Sequence, residues 1–169
     1  IDTACLNVGG RLVETDGNGV VTRLHAPGRM ILEALFGGIP AALDAHHLAA
    51  MADSMADMLF DLSQGLASPL ARRLLQTPPL NAGLRYDAVL ISGGVGECCR
   101  HPGGDPFRFK DMGPLLAEAI LRNPSLQRLP LAQPAATVQA TVIGAGSWSL
   151  SLSGSTVWAD HKAFPLRNV

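Results

Sequence analysis

The feature that most constrains the fold is a short apolar run that ends in three glycines within four positions, inside residues 87–97 (DAVLISGGVGE). The three consecutive apolar residues 89–91 are typical of a strand that is covered on both faces. Gly93 and Gly94 then permit positive φ and close approach by a ligand. If a helix follows, its free N–H groups favour an anion or a polar ligand at that turn. The stretch therefore predicts a buried strand that opens into a backbone-lined binding site.

The composition fits one globular domain with a sizeable core, because 47% of the 169 residues are hydrophobic and the formal net charge is −1. Charged residues make up only 16% of the chain and the basic ones are scattered, so we expect no nucleic-acid partner. The apolar stretches are too short to cross a bilayer, and the N-terminus lacks the charged region of a signal peptide. These features indicate no membrane partner and a cytoplasmic location.

The cysteines and the N-terminus give two further expectations. Cys5, Cys98 and Cys99 make an odd count without CxxC spacing, so neither a disulfide framework nor a metal site is predicted. Small buried thiols are the preferred interpretation. The chain opens at Ile1 without an initiator Met, which is interpreted as a piece of a longer protein.

The N-terminal part of the chain predicts a β-hairpin. Segments 3–8 and 20–25 flank the turn-rich residues 16–19, whose glycines supply the positive φ of tight turns. The pair Gly9-Gly10 interrupts the first arm, which indicates a bulge, a close backbone contact or a plain strand defect. The neighbouring Arg11 is suited to hold a phosphate or to pair with an acidic residue of the hairpin (Glu14 or Asp16), and pairing is the preferred interpretation.

Helices are predicted for most of the middle of the chain. Residues 29–36 form a short helix ended by glycines, and a longer helix begins near Pro40 or Asp44 with a methionine-rich apolar stripe that we assign to the core. The adjacent His46 and His47 are interpreted as surface or helix-end residues, because they point about 100° apart. The remaining predictions are a brief helix capped by Ser68, a loop over 98–106, a helix capped by Asp111 that runs to Leu121, a linker over 129–134, a strand or a helix over 136–146, and a strand over 147–158.

No motif for catalysis is recognised in the sequence, since the nucleophile elbow, the P-loop and the metalloprotease helix are absent. We therefore predict no catalytic and no metal-binding residues in this chain. The strand that ends in Gly93 and Gly94 is followed, after a loop, by an amphipathic helix. Glycines after a strand can also form only a tight turn. In α/β folds, however, ligands bind at the carboxyl ends of strands, and the helix that follows makes this turn the candidate site.

Residues 87–97 resemble the adenosine motif of the actin-like ATPase superfamily, which includes sugar kinases, Hsp70 and actin. Several blocks in the same order along the chain more closely resemble the EutA family of ethanolamine ammonia-lyase reactivating factors. These blocks are residues 5–12 (CLNVGGRL), 92–97 (SGGVGE), 111–117 (DMGPLLA) and 141–146 (TVIGAG) with 153–156 (SGST).

The resemblance implies an α/β fold, part of an actin-like ATPase (ribonuclease H-like) domain with a mixed sheet and helices packed on it. Residues 1–169 would form a single domain, the second-half nucleotide-binding subdomain of a longer ATPase, with residues 137–146 helical. Gly93 and Gly94 match the glycines that pass beneath ribose and adenine, and Gly9 and Gly10 match a second glycine pair. The phosphate-binding loops and the acidic residue that organises Mg²⁺ lie upstream of Ile1 in the family.

The function implied by the resemblance is an ATP-dependent, chaperone-like reactivation of ethanolamine ammonia-lyase, in which damaged cobalamin is exchanged for adenosylcobalamin. The implied cofactor is ATP with Mg²⁺ in the full-length protein, and the implied partner is the lyase, in the cytoplasm and in association with a bacterial microcompartment. Two alternatives stay open. One is a non-catalytic interaction module that docks on the lyase or an assembly partner, and the other is a small-molecule kinase.

Overall fold

A computed structural model of the protein describes residues 2–134, all within one compact unit that covers residues 1–138. These residues contain both helices and two small two-stranded sheets, which confirms a mixed α/β class. The strands are β1 (Val13–Thr15), β2 (Val21–Leu24), β3 (Val89–Leu90) and β4 (Leu131–Ala132), and the α-helices are α1 (Ala26–Phe36), α2 (Ala45–Ser63), α3 (Pro69–Leu74), α4 (Gly93–Arg100) and α5 (Gly113–Arg122), with 3₁₀ turns at Gly10–Leu12 and Leu126–Arg128. The predictions for residues 136–146 and 147–158 lie outside the described residues.

The predicted hairpin is present, but its first arm is placed differently. β1 and β2 pair antiparallel, and the Asp16 carboxylate accepts hydrogen bonds from the N–H groups of Asn18 and Val20 at 2.8 and 3.2 Å, which fixes the turn. The assignment of residues 3–8 to this hairpin is wrong. That segment instead pairs with the end of α3, where the N–H of Asn7 donates to the carbonyl of Leu74 at 2.9 Å.

The first two predicted helices are confirmed, and they begin and end for local reasons. Gly37 ends α1 in the left-handed region at φ 71°. The Asp44 carboxylate caps α2 by accepting from the N–H of His47 at 3.1 Å, while the His47 ring lies 3.4 Å from the N–H of Asp44. The helix-end interpretation of His47 is therefore also confirmed.

The core lies where α2 packs against α1 and α5. The methionine stripe of α2 is buried there as predicted, and α5 contributes an apolar face that contacts α2 and α4. Two α5–α2 polar contacts border this interface: the Arg122 guanidinium lies 2.6 Å from Asp53, and the Asn123 amide donates to Asp57 at 2.7 Å. The largest fully buried side chains are Ile31, Leu32, Leu48, Met51, Met55, Leu74, Met112 and Val13.

The strand before the glycines is found, although it is shorter and more exposed than predicted. β3 has two residues and pairs in parallel with β4, which lies in the segment predicted to be a linker. Leu90 is 56% exposed, so the prediction of a strand covered on both faces is wrong at this residue. The backbone turns into α4 directly after Ser92, and the chain therefore leaves the strand before a third apolar residue can pair.

The predicted loop over 98–106 is wrong at its start, because α4 continues to Arg100. The N–H of His101 then donates to the carbonyl of Glu97 at 3.0 Å at the end of the helix. Helix-breaking residues begin only at Pro102, so residues 98–100 remain in the helix. The prediction of buried thiols is met by Cys98, which is buried, and in part by Cys99, but Cys5 is exposed.

Candidate functional site

Three of the four predicted site glycines line one cleft of about 700 Å³. Gly9, Gly10 and Gly94 line it, and Gly93 is the first residue of α4, immediately before Gly94. The other lining residues come from the 3₁₀ turn, from α4 and from the segment that leads into α5: Arg11, Val95, Glu97, Cys98, Phe109, Asp111 and Gly113. The structure therefore brings together residues that the sequence keeps far apart.

One wall of the cleft is the turn from β3 into α4. Gly93 has φ 76°, a value that strains any residue with a Cβ, and this conformation lets the helix start directly at the strand end. A Cβ at Gly96 would overlap the carbonyl oxygen of Ile91, so glycine is needed there for α4 to lie close to the strand. At Gly94, in contrast, a Cβ would meet no atom within 4 Å. The missing side chain at Gly94 leaves open space at the cleft.

The second wall is a close contact between two backbones. An added Cβ at Gly10 would lie 2.5 Å from the Cα of Gly113 and 2.7 Å from its nitrogen. The N–H of Met112 donates to the Gly10 carbonyl at 3.1 Å, which holds the two segments together. Among the three readings of the Gly9-Gly10 pair, the structure supports the close backbone contact. Gly10 therefore joins the turn to the start of α5.

The charged lining of the cleft consists of two carboxylates and one guanidinium. Asp111 accepts a hydrogen bond from the N–H of Gly113 at 2.8 Å, but the N-cap of α5 is Met112, so the predicted cap at Asp111 is one residue too early. The Glu97 carboxylate lies 3.4 Å from the His101 ring. Arg11 is the cation of this set and is exposed. The described lining therefore offers more negative than positive charge.

The predicted pairing of Arg11 is wrong, since no ion pair joins Arg11 to Glu14 or Asp16 within the described residues. Glu14 instead pairs with His25 at 2.8 Å and lies 3.9 Å from Arg23. The hydrogen bond with the His25 side chain is the main cause that lowers the pKa of Glu14 below its ordinary value. The positive charge of Arg11 lowers this pKa only slightly. Arg11 lines the cleft and also a neighbouring cavity that Glu14 and His25 line.

A second cavity of about 230 Å³ lies beside the first and shares its wall. Phe109, Glu97 and Cys98 line both cavities, whereas Arg108 lines only the smaller one. Burial raises the pKa of the Cys98 thiol, and the nearby Arg108 opposes that shift. Burial likewise raises the pKa of Cys99 to about 11. Neither thiol is therefore prepared to act as a thiolate near neutral pH.

Sequence reasoning missed the segment that closes the site, in which Phe109 and Asp111 lie beside the glycine turns. The β1–β2 hairpin holds this segment in place, because the N–H of Thr15 donates to the Lys110 carbonyl at 2.9 Å. Because the paired residues are far apart in the sequence, no local sequence pattern indicates this pairing. The available signals are the predicted cap at Asp111 and the block 111–117, and neither indicates what this segment faces.

The chemistry of the described residues is that of a binding cleft. Within residues 2–134, no group of three or more His, Cys, Asp or Glu side chains is placed to hold a metal ion. In the same part of the chain, no helix has the length and apolar character that crossing a bilayer requires. What the cleft offers a ligand is open space at glycines, carboxylate acceptors, one guanidinium and one aromatic ring.

Comparison with known proteins identifies the family. The sequence profile of the family described as "Ethanolamine utilisation protein EutA" matches residues 1–169. The chain is 51% identical over 169 residues to the "Ethanolamine ammonia-lyase reactivase EutA" of Salmonella typhimurium and 50% identical to the protein of the same name from Escherichia coli. These matches cover 99% of the chain and 36% of each relative, so the chain spans about a third of their length. No solved structure matches. The chain belongs to the EutA family of ethanolamine utilisation proteins.

Proposed function

We propose that the protein takes part in the reactivation of ethanolamine ammonia-lyase and that this chain forms the adenosine side of a nucleotide site. The observation that carries the nucleotide proposal is the shared cleft, because Gly9, Gly10 and Gly94 line one cavity although they come from distant parts of the sequence. The names of the two relatives, both ethanolamine ammonia-lyase reactivases, support the lyase as the partner. The activity would exchange damaged cobalamin for adenosylcobalamin, in the cytoplasm or in a bacterial microcompartment.

The size and shape of the cleft support a nucleoside as the ligand. Its volume of about 700 Å³ lies within the range typical of small-molecule sites, about 300–1,000 Å³. Gly94 borders it without any atom within 4 Å of its Cβ position, so a ligand can approach the backbone there. The first turn of α4 adds N–H groups that have no partner inside the helix. A nucleoside could therefore lie against the glycine turn, as the resemblance implies for Gly93 and Gly94.

The charges favour the uncharged part of a nucleotide over its phosphates. Carboxylates accept hydrogen bonds, and both ribose hydroxyls and the adenine amino group donate them. Glu97 and Asp111 would repel a polyphosphate, and Arg11 would offset only part of that repulsion. We therefore assign adenosine binding and orientation to this cleft.

ATP with Mg²⁺ would supply the phosphoryl-transfer chemistry when bound to the full-length protein. In this proposal the described residues bind and orient the nucleoside, and the phosphate-binding loops belong to a different part of the protein. The order of β3 and α4, with a parallel partner strand, supports a ligand site at the carboxyl end of β3. In that case the chain supplies one half of a site that is completed elsewhere.

A second candidate function, an interaction module that docks on the lyase or an assembly partner, is favoured by exposed apolar residues at the end of α1. Leu35, Phe36 and Ile39 are 40%, 38% and 40% exposed and lie within five positions of one another. Apolar side chains of this kind are common in protein interfaces. This candidate predicts lyase binding that does not depend on nucleotide.

The test is reactivation of cobalamin-inactivated lyase by the full-length protein, with and without ATP, for the wild type and for Gly94→Asp. The new carboxylate would fill the open space and add negative charge, so we expect ATP binding to be abolished. The fold should tolerate the change, because Gly94 has no positive φ and an acidic side chain is favourable in the first turn of a helix.

Gly38→Asp is the matched control for ATP binding only, because Gly38 lies between the exposed Phe36 and Ile39 of the second candidate function. Gly38 also has open space and no positive φ, but it does not line the cleft. We expect this variant to bind ATP like the wild type. Unchanged nucleotide affinity of Gly94→Asp in calorimetry would contradict the nucleotide site, and reactivation without ATP would favour the interaction module.

A further inference from the structure

One large aromatic side chain is exposed at the edge of the cleft. Phe109 is 57% exposed and lines the cleft together with the open glycine positions Gly9 and Gly94. Covering an apolar ring in this place with a ligand is favourable, because it removes apolar surface from water. The position matters because the ring borders a cavity large enough to hold a nucleoside.

The ring is held in place before any ligand arrives. The Arg108 guanidinium lies 5.1 Å from the centre of the Phe109 ring, a cation–π contact. The same guanidinium donates to the carbonyls of Gly103 at 2.8 Å and Asp105 at 3.1 Å, with that of His101 at 3.5 Å. The loop before α5 is therefore folded around Arg108. A preorganised ring loses little conformational entropy when a ligand binds.

The two cavities show which side of the ring is available. Phe109 lines both, whereas Arg108 lines only the smaller cavity. Arg108 lies over the ring but is not among the residues that line the cleft with Gly9 and Gly94, so we take the side of the ring away from Arg108 as the one open to a ligand. At Gly9 and Gly94 a Cβ would meet no atom within 4 Å, so a flat ligand can enter the space beside the ring.

We propose that Phe109 is the stacking surface for the base of a purine nucleotide in this cleft, an inference that rests on the proposed nucleotide site. A phenyl ring stacks on a nucleobase through its π face, and the carboxylates of the cleft then accept hydrogen bonds from the exocyclic amino group. Stacking tolerates any base, so the ring provides affinity, and hydrogen bonding selects among the bases.

The experiment measures ATP binding by calorimetry for the full-length protein and for Phe109→Ala, Phe109→Leu and Phe109→Trp. Loss of a stacked base typically weakens binding about 5- to 150-fold, and we expect Phe109→Ala and Phe109→Leu to fall in that range. Phe109→Leu keeps an apolar side chain of similar bulk, so weaker ATP binding by this variant would show that the aromatic ring itself contributes to affinity. Phe109→Trp should bind at least as well as the wild type.

Phe109→Trp gives a second readout. The fluorescence that this variant gains over the wild type should be quenched by ATP and unchanged by ribose 5-triphosphate, which has no base. Wild-type affinity in both Phe109→Ala and Phe109→Leu, with binding abolished in Gly94→Asp, would overturn the stacking proposal and leave the nucleotide site standing. Failure of the wild-type protein to bind ATP at all would overturn both proposals.

Discussion

The contact between Gly10 and Gly113 should make Gly10→Ala strongly destabilising. The alanine Cβ would lie 2.5 Å from the Cα of Gly113, whereas carbon atoms at optimal separation are about 3.5–4.0 Å apart. The overlap is therefore at least about 1 Å, and the opposing atoms belong to the backbone, so no side-chain rotation can relieve it. The 3₁₀ turn and α5 would have to move apart.

The cost can be estimated from two opposing effects. Overpacking of this kind typically costs about 1–3 kcal/mol, and we expect the upper end because only backbone movement relieves it. Replacing glycine by alanine also lowers the conformational entropy of the unfolded chain, which stabilises the folded state by about 0.4–1 kcal/mol. The net loss is about 2 kcal/mol, equivalent to a fall in Tm of about 4–8 °C for a domain of this size.

The assay is thermal unfolding followed by circular dichroism, with Gly38→Ala as the control. At Gly38 a Cβ would meet no atom within 4 Å and the backbone has no positive φ, so alanine there should leave Tm unchanged or raise it slightly. If Gly10→Ala unfolds at the wild-type temperature, the two backbones do not approach as closely as described, and one wall of the cleft is misplaced.

Two further predictions concern the start of α2 and the thiols. The N–H of His47 holds the pKa of Asp44 below its usual range, so the cap stabilises the fold above about pH 4 and its contribution is lost as the pH falls through the lowered pKa. Thermal melts should therefore show Asp44→Ala below the wild type near neutral pH and a smaller difference in acid; a difference that does not depend on pH would refute this. Alkylation with iodoacetamide at about pH 8, followed by peptide mapping, should modify exposed Cys5 at least about tenfold faster than Cys99, whose pKa is raised by burial to about 11. Equal rates would show that Cys99 is not buried as described.

The parts of the fold that the sequence predicts well are those fixed by local chemistry. The helix ends follow from Gly37, Asp44 and Ser68, each of which satisfies or terminates the backbone of its own helix. The methionine stripe predicts the core because its spacing of three and four residues is itself the geometry of a helix face. Such features need no knowledge of distant residues.

The predictions that are wrong depend on pairing across the chain. Residues 5–7 have a strand-like sequence, but their hydrogen bonds go to the end of α3 rather than to the hairpin. Leu90 is exposed because β3 gains one described neighbour, β4, and ends after two residues. Periodicity shows that a segment can form a strand, but it does not show which strand it meets.

The sequence predicts the glycines of the candidate site but not the side chains that face them, because those contacts join distant parts of the chain. The glycines belong to two separate motifs, and the sequence alone does not indicate that three of them line one cleft. Phe109 and Asp111 were absent from the predicted site, because their place depends on how the segment before α5 lies against the hairpin. Glycine turns can be recognised from the local sequence, whereas the side chains that face them depend on the tertiary fold.

The glycines of the cleft divide into two kinds, and this division determines what mutations can reveal. Gly10 and Gly96 are required because another backbone occupies the space of a side chain, so changes there alter stability and site geometry together. Gly94 borders open space, so a change there acts on whatever enters that space. Loss of activity on substituting Gly10 would therefore be compatible with any function of the protein. The same loss at Gly94, in a protein whose Tm is unchanged, would require a ligand at the glycine turn, and for that reason the functional proposal depends on Gly94 rather than on the number of glycines in the cleft.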